Sequence, residues 1–249
     1  MKQSVNVIYY NKEYNFGDQL SPFIVQSLLN KEDYDLTHNL KDQTNNIIAV
    51  GSYIEKAKKH THIWGSGIII KSSKIAKELS NVHAVRGPLT RNLLLSKNIE
   101  VPKIYGDPAL LLPEFYKPNL KEELKEKIVV IPHKSNYSKY KDQTLDSKFY
   151  LVSPMDNWKH VIDCIASCKA VVSESLHGLI CADAYKIPNL WLYEYGLTYG
   201  NFKFRDYFMS QKRPLTQIKT LNDFDIALCY NEGNKIDCNE LKNAFPYKK

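Results

Sequence analysis

The sequence predicts an α/β protein with two lobes, each with a mostly parallel sheet and crossover helices. Two observations support this fold class. Short β-branched or aromatic runs alternate with helix-length segments along most of the chain, and a proline-rich stretch interrupts that alternation near the middle. A chain of 249 residues can hold one large α/β unit or two compact lobes. We predict a first lobe at residues 1–114, a second at 120–215 and a C-terminal extension at 216–249.

In the first lobe, four short runs of apolar and β-branched residues are predicted strands, at residues 5–10, 47–50, 62–64 and 82–85. Two helix starts are marked by a proline directly after a residue that suits the N-cap. Ser21-Pro22 predicts the start of the first helix, and Gly87-Pro88 precedes a second helix at 89–97. Each helix follows a strand, which is the order that parallel strands with crossover connections require.

Prolines at residues 112–119, Pro113 and Pro118, break any regular element and predict a linker between the lobes. The alternation then resumes in the second lobe. Its predicted strands lie at 128–131, 149–152, 170–172 and 189–193, and its predicted helices lie at 157–168 and 176–185. Residues 121–127 carry both charge signs and predict a solvated helix face. Beyond residue 200 the pattern weakens, and one further helix is predicted at 222–230.

Composition excludes several classes of protein. Hydrophobic residues at 43%, charged residues at 24% and aromatic residues at 12% are ordinary for a globular domain, so disorder, collagen and coiled coil are poor interpretations. No apolar run approaches the roughly 20 residues of a membrane span, and residues 1–10 lack the pattern of a signal peptide. We therefore expect an unsecreted, cytoplasmic protein.

The five cysteines form no Cys-x-x-Cys pair and do not alternate with histidine, so neither a disulfide framework nor a zinc site is predicted. We expect no cofactor and metal-independent activity. The net charge of +7 suits a small anionic substrate or an acidic membrane surface. Nucleic acid is not expected as a partner, because the lysines are scattered and form no basic block.

Glycines mark the edge where a ligand is expected. Seven of the ten glycines fall at predicted strand ends or turns, where they let the backbone approach a ligand closely. In an open α/β sheet, the carboxyl ends of strands and the amino ends of helices converge at this edge. The seven are Gly17, Gly51, Gly65, Gly67, Gly87, Gly106 and Gly178.

Two turns of the first lobe carry groups that can contact a ligand there. Asn15, Gly17 and Asp18 lie between the first strand and the first helix. The carboxylate can act as a general base or hold a sugar, and the alternative is an Asx-turn or a helix cap. The loop Gly65-Ser66-Gly67 follows a strand and can offer backbone amides to an anion, although such a loop is more often only a tight turn.

Arg86 is a candidate anion ligand, because it lies at the end of a strand and faces the helix start at Gly87-Pro88. The helix dipole there already favours an anion, so the pair suits a carboxylate or phosphate. The alternative is a salt bridge across the sheet edge. These two interpretations are equally supported by the sequence.

In the second lobe, a strand runs directly into a helix start at Ser173, Ser175, Leu176 and His177. The serines can cap the helix, and the histidine in its first turn can bind a phosphate oxygen or transfer a proton. A buried neutral histidine is the alternative. His133 and Lys134 follow another strand and are expected at the same cleft, whereas the segment around Asp107 is predicted to be a structural turn.

At these clusters the sequence resembles the polysaccharide pyruvyl transferase family, in particular the ketal pyruvyltransferases of bacterial exopolysaccharide and capsule assembly. The resemblance covers about three quarters of the chain and fades after about residue 200. Its motifs are residues 15–18 with 20–22, 64–67, 85–91, 106–112, 132–133 and 173–180.

The resemblance implies two Rossmann-like lobes, as in the GT-B glycosyltransferases, with phosphoenolpyruvate bound in the second lobe's part of the cleft. It also implies transfer of the enolpyruvyl group to two hydroxyls of a sugar, with formation of a cyclic ketal and release of phosphate. Arg86 and His177 match family positions that contact the donor, and Asp18 matches an acidic active-site position. We expect Asp18 to be the base, His177 to stabilise the phosphate and deliver a proton, and Arg86 to fix the donor.

One departure concerns the residue before Leu176-His177, which is arginine in many family members and Ser175 here. Lys134 or Arg205 is expected to replace its charge. By analogy, the acceptor belongs to a surface polysaccharide or its lipid-linked precursor. Positive charge and aromatics such as Tyr193, Tyr195, Tyr199 and Phe202 favour peripheral association with the inner membrane surface or stacking on a sugar.

Two alternatives remain open at this point. A GT-B glycosyltransferase with a nucleotide-sugar donor often has two acidic residues eight apart in its second lobe, but the residue eight beyond Glu174 is Ala182. A non-catalytic carbohydrate- or anion-binding protein is supported only by Ser175 and the short C-terminal region. Release of phosphate from donor and acceptor would separate this protein from both.

Overall fold

The computed structural model describes residues 2–41, 44–193 and 201–247, and its framework is two five-stranded parallel sheets. The first sheet contains β1 (Gln3–Val7), β2 (Tyr34–His38), β3 (Asn46–Ile48), β4 (His62–Trp64) and β5 (Val82–Ala84). The second contains β6 (Ile128–Ile131), β7 (Phe149–Leu151), β8 (Ala170–Ser173), β9 (Asn189–Leu192) and β10 (Gln217–Ile218).

Helices connect these strands. In chain order they are α1 (Phe16–Leu28), α2 (Pro88–Leu95), α3 (Tyr137–Lys141), α4 (Trp158–Ser167), α5 (Leu176–Ala184), α6 (Phe202–Ser210) and α7 (Cys238–Asn243). Short 3-10 helices lie at Ile54–Lys56, Pro108–Glu114, Glu122–Leu124, Leu221–Asp223 and Ile226–Leu228. No helix in the described part of the chain is long and apolar enough to cross a bilayer.

Both sheets have the same strand order. The first runs β2-β1-β3-β4-β5, and the second runs β7-β6-β8-β9-β10, so each follows the doubly wound order 2-1-3-4-5. The two Rossmann-like lobes expected from the sequence are therefore confirmed. In each lobe the strand order reverses between the first and third strands, and ligands bind in the crevice beyond that point.

One hydrophobic cluster spans both lobes. It includes Val5 and Trp64 of the first lobe together with Val129, Ile162 and Trp191 of the second. The 3-10 helix Pro108–Glu114 contacts both α1 and α5. Residues 108–112 of this 3-10 helix are buried and fix one lobe against the other, whereas Pro113 is exposed and Pro118 is partly buried.

The start of the first helix was predicted wrongly. Asn15, and not Ser21, is its N-cap, because the Asn15 side chain accepts a hydrogen bond from Gly17 N at 3.0 Å. Pro22 lies inside α1, where it cannot donate to the carbonyl of Asp18 one turn earlier.

The helix predicted at 222–230 is replaced by two 3-10 turns. Asp223 accepts hydrogen bonds from the backbone and the hydroxyl of Thr220, and Asp225 Oδ1 accepts one from Ala227 N at 2.9 Å. These side chains compete with helical hydrogen bonds. The sequence analysis also missed the edge strand β2 and the helix α6.

The C-terminal extension returns to the first lobe after β10 has joined the second sheet. Trp64 Nε1 donates to the carbonyl of Leu241 at 2.8 Å, and the Trp64 and Phe245 ring centroids lie 4.9 Å apart. Lys242 forms an ion pair with Glu114 at 2.5 Å. The extension thus packs against the back of the first lobe.

Candidate active site between the lobes

The strand-order reversals of the two lobes face one another. The loops after β1 and β3 flank the reversal of the first lobe, and the loops after β6 and β8 flank that of the second. The lobes touch at Gly17, where any β-carbon would overlap the ring of His177. Only glycine permits this close approach, which places the first turn of α1 against the first turn of α5.

Gly51, after β3, completes this contact. Its φ of +96° is in the region that favours glycine. A β-carbon at this position would lie 3.5 Å from His177 Cε1 and 3.8 Å from Asp18 Oδ1. The absent β-carbon of Gly51 therefore leaves a space that the carboxylate of one lobe and the imidazole of the other both border.

Asp18 is partly buried in the first turn of α1. Burial raises the pKa of its carboxyl to about 7. The cations Lys203 and Lys134 oppose this rise, and the Asp107 carboxylate adds to it. A carboxyl group with this pKa can take up and release a proton near neutral pH.

His177 is the second residue of α5, and its side chain is 12% exposed. Its Nε2 is buried, has no hydrogen-bond partner among the described residues and lies 3.9 Å from Asp107 Oδ2. Burial lowers the pKa of His177 to about 3, and the charges of Lys203 and Arg86 act in the same direction. The imidazole is therefore neutral at pH 7, with a nitrogen available to a ligand.

Asp107 is a site residue that the sequence analysis missed. It caps the 3-10 helix Pro108–Glu114 as the predicted turn implies, with Oδ1 accepting from Ala109 N at 3.0 Å. Its Oδ2 also accepts from Gly51 N at 3.0 Å. Burial raises its pKa to about 6. The signal that could have found it is its place in the chain, two residues after Tyr105. Tyr105 forms a parallel bridge with Val85, next to β5, so this segment ends at the same sheet edge as the strands.

Arg86 is completely buried and forms an ion pair with Asp206 of α6, Nη2 to Oδ2, at 3.2 Å. Its Nη2 also donates to the carbonyl of Ile68 at 2.8 Å, and its Nη1 donates to Ser52 Oγ. The salt bridge left open by the sequence is thus present, between the two lobes. The predicted contact of Arg86 with a donor anion stays a prediction.

Asp206 also caps α2. It accepts hydrogen bonds from Thr90 N at 2.9 Å and from Thr90 Oγ1 at 2.6 Å. Gly87, the N-cap residue of α2, provides no side chain for this purpose. A carboxylate of the second lobe therefore neutralises both Arg86 and the helix end beside it.

The loop Gly65-Ser66-Gly67 holds Gly51 in place. Gly67 N and Ser66 Oγ both donate to the carbonyl of Gly51, at 2.8 and 2.9 Å. Gly65 N donates to Ala84 O at 2.8 Å. These donors are engaged within the protein, so the geometry supports a positioning role for the loop.

In the second lobe, Ser173 Oγ accepts from Ser175 N at 2.9 Å and fixes the turn into α5. Ser175 occupies the N-cap position, but its side chain makes no cap hydrogen bond. Leu176 is buried in the core shared by both lobes. His177 differs from these residues in that its Nε2 is buried without a hydrogen-bond partner.

The loop after β6 carries His133 and Lys134. Glu174 positions it by accepting from His133 N at 2.7 Å. Burial lowers the pKa of His133 to about 4. Lys134 forms an ion pair with Glu13 of the first lobe and lies 5.3 Å from the Tyr10 ring centroid.

Arg205 lies elsewhere. It is exposed and lines a groove of about 590 Å³ between α2 and α6, together with Lys71 and Phe202. Lys203, on the same helix, acts electrostatically on Asp18 and His177 and was missed because α6 was not predicted. Tyr193 packs edge-on against Trp191 at 5.7 Å, whereas the predicted surface aromatics Tyr195 and Tyr199 lie outside the described residues.

The fold and the cleft define a doubly wound, two-lobed α/β protein with acid–base groups between its lobes. Residues 15–194 match the polysaccharide pyruvyl transferase family model, which is more than half of the chain. The chain therefore belongs to the polysaccharide pyruvyl transferase family. Membership gives it a transferase role in polysaccharide biosynthesis, with a sugar or polysaccharide as acceptor.

The chain is similar to proteins from a virus and from two bacteria. An uncharacterised protein of Acanthamoeba polyphaga mimivirus is 29% identical over 240 residues, which is 90% of this chain and 83% of the viral protein. The crystal structure of a functionally uncharacterised Klebsiella pneumoniae protein has a TM-score of 0.50 at 15% identity, covering 82% of this chain and 87% of that one. Heptosyltransferase WaaC of E. coli, with ADP-2-deoxy-2-fluoro heptose, has a TM-score of 0.29 at 12% identity, covering 80% of this chain and 91% of that one.

Proposed function

We propose that this protein transfers the enolpyruvyl group of phosphoenolpyruvate to two hydroxyls of one sugar, forming a cyclic pyruvate ketal. The observation that carries the proposal is that Asp18 and His177, from different lobes, both border the space beside the Gly51 α-carbon. One group has a pKa of about 7 and the other is a neutral buried imidazole. Ketal formation needs such a pair, because carbon must be protonated while hydroxyls lose protons.

The reaction balances without an oxidant or a reductant. The enol carbon forms two C–O bonds to the sugar and loses its bond to the phosphate oxygen. The sugar loses two hydroxyl protons in all. One of them balances the proton that is added to the methylene carbon to form a methyl group. The other leaves with the phosphate, so the site ends in the protonation state in which it began.

Two residues move these protons in the proposed mechanism. The bound donor, with an ionised carboxylate and a dianionic phosphate, raises the pKa of His177, and Asp107 at 3.9 Å stabilises the resulting imidazolium. His177 then protonates the methylene carbon while Asp18 accepts the proton of the attacking hydroxyl. In the second half, His177 recovers a proton from the other hydroxyl, and Asp18 returns its proton to the departing phosphate.

The acceptor is proposed to be a sugar of a surface polysaccharide or of its lipid-linked precursor. We place the reaction in the cytoplasm, with peripheral association at the inner membrane surface. The alternatives are a nucleotide-sugar glycosyltransferase and a non-catalytic binding protein. The donor distinguishes the first alternative, and phosphate release distinguishes the second.

Thermal shift is expected to identify the donor. At about 100 times its Kd, phosphoenolpyruvate would stabilise the folded state by about 2.7 kcal/mol, or roughly 5–11 °C. His177→Gln should abolish this shift, whereas the control His60→Gln, at an exposed histidine before β4, should retain it. A shift with nucleotide sugars in place of phosphoenolpyruvate would reject the proposed donor. Donor binding without phosphate release, across a panel of sugar acceptors, would favour the binding protein.

We expect kcat/KM to rise with pH through an apparent pKa of about 7, because Asp18 must be ionised to accept a proton. The donor phosphate titrates near pH 6 and contributes to the same region. Lys134→Gln separates the two: removing a cation that lowers the Asp18 pKa should move the rising limb to higher pH and leave the free donor unchanged. An unshifted limb would assign it to the donor.

A further inference from the structure

Lys203 belongs to a buried face of α6. It is the second residue of that helix and is partly buried. Asp206 and Tyr207 are three and four residues further on, which puts all three side chains on neighbouring positions of one face. Both of those residues are buried. Lys203 thus lies one turn from the ion pair that joins α6 to the first lobe.

Packing fixes the orientation of this helix. Phe204 stacks on Trp191 of β9 with ring centroids 4.4 Å apart, while Asp206 is bonded to Thr90 and Arg86 of the first lobe. Lys203 Nζ lies 5.2 Å from the Phe204 ring centroid. The start of α6 is therefore held between β9 and α2, beside the cleft.

The charge of Lys203 reaches titratable groups from three different elements. For Asp18 of α1, His177 of α5 and His133 of the loop after β6, burial is the largest cause of the pKa shift. Lys203 is the next cause at all three, lowering each pKa. Because its charge affects all three groups, the Lys203 ammonium lies where the loops of both lobes converge.

The cations considered from the sequence are positioned differently. Arg86 is completely buried against Asp206 of α6, Lys134 lies in the loop after β6, and Arg205 lines the groove between α2 and α6. A dianionic phosphate beside a neutral histidine needs a cation in the same cleft.

We propose that Lys203 binds the phosphate group of phosphoenolpyruvate in this cleft, which makes it a donor-binding residue contributed by α6. This inference rests on the proposed function. The Arg86–Asp206 ion pair then affects donor binding indirectly, because it holds α6 and Lys203 against the first lobe.

The test compares Lys203→Gln with Lys203→Arg and a matched control, Lys159→Gln. Lys159 is also the second residue of its helix, α4, and its Nζ lies 5.7 Å from the ring of the adjacent Trp158, but it is exposed. Titration calorimetry with phosphoenolpyruvate should show about 10- to 100-fold weaker binding for Lys203→Gln. The Kd values of the other two variants should stay within about threefold of wild type. The variants should rank in the same order of affinity when inorganic phosphate is the ligand.

A second measurement needs no donor. Histidine resonances in NMR should show the pKa of His133 rising in Lys203→Gln and unchanged in Lys159→Gln. If wild type fails to bind phosphoenolpyruvate, the proposed function is rejected, and the inference, which rests on it, falls with it. Wild-type binding with an unchanged Kd in Lys203→Gln rejects the inference alone. An equal loss in Lys159→Gln also rejects it, because the effect would then be one of net charge.

Discussion

Replacing Asp18 with asparagine is expected to slow ketal formation by about 10²- to 10⁴-fold at pH 8, the range that a positioned general base contributes. At that pH the wild-type carboxyl, with a pKa of about 7, is mostly ionised. Asparagine keeps the size of the side chain but cannot accept the proton of the sugar hydroxyl. The measurement is phosphate release under saturating donor and acceptor, with Glu100→Gln, at an exposed carboxylate after α2, as the control.

Whereas its activity falls, the free energy of unfolding of Asp18→Asn should be higher than that of wild type. The folded state raises the Asp18 pKa from 3.8 to about 7, so it holds the proton more tightly than the unfolded chain does. Wild type therefore loses stability relative to Asp18→Asn as the pH rises from about 4 to about 7. A more stable but inactive variant is the expected result, since active sites often hold groups at the expense of stability.

Two results would contradict this role. Turnover within about tenfold of wild type corresponds to a barrier change of roughly 1.4 kcal/mol or less, which is too small for the base that deprotonates the attacking hydroxyl. A large loss of activity together with a lower melting temperature would instead indicate a structural role for the carboxylate.

Much of the site was accessible from the sequence, because its position follows from strand order. Asp18 was located between the first strand and first helix, and His177 at the start of a helix after a strand. Carboxyl ends of parallel strands meet at one edge, so each residue could be assigned to its lobe's ligand-binding edge. Their mutual contact needed one more fact, the packing of Gly17 against the His177 ring.

Other features depend on contacts between residues far apart in the chain. Asp107 has the local signature of a turn, and it has that role, but its second oxygen is bonded to Gly51. Arg86 was equally compatible with a ligand and with a salt bridge, since nothing near it in sequence identifies Asp206 as its partner. Local patterns do not encode such pairings, which tertiary packing decides.

The error at the first helix has a local cause. Proline is frequent at the first helical position, so Ser21-Pro22 is a reasonable but incorrect start. Asn15 is as good an N-cap residue as serine, and its side chain caps Gly17 N, so the helix begins six residues, or about 1.7 turns, earlier. Because of this shift Asp18 lies within the first turn of α1 and not in a loop before it.

Removing the Arg86 guanidinium is expected to be the most destabilising single change considered. Arg86→Met leaves the completely buried Asp206 carboxylate without its cation, at a cost of about 3–5 kcal/mol. For a chain of this size the melting temperature should fall by roughly 6–20 °C. The double variant Arg86→Met/Asp206→Asn should recover much of this loss, because an asparagine oxygen can still accept from Thr90 N and no buried charge remains.

Donor binding in the same variants separates the two roles of Arg86. If the guanidinium contacts the donor, the single and double variants should both bind phosphoenolpyruvate weakly. If it only positions α6 through Asp206, the double variant should bind within about threefold of wild type at a temperature where every variant is folded. Recovery of phosphoenolpyruvate binding in the double variant therefore distinguishes the two roles. A repaired interface can restore the position of Lys203 but cannot restore a missing ligand contact.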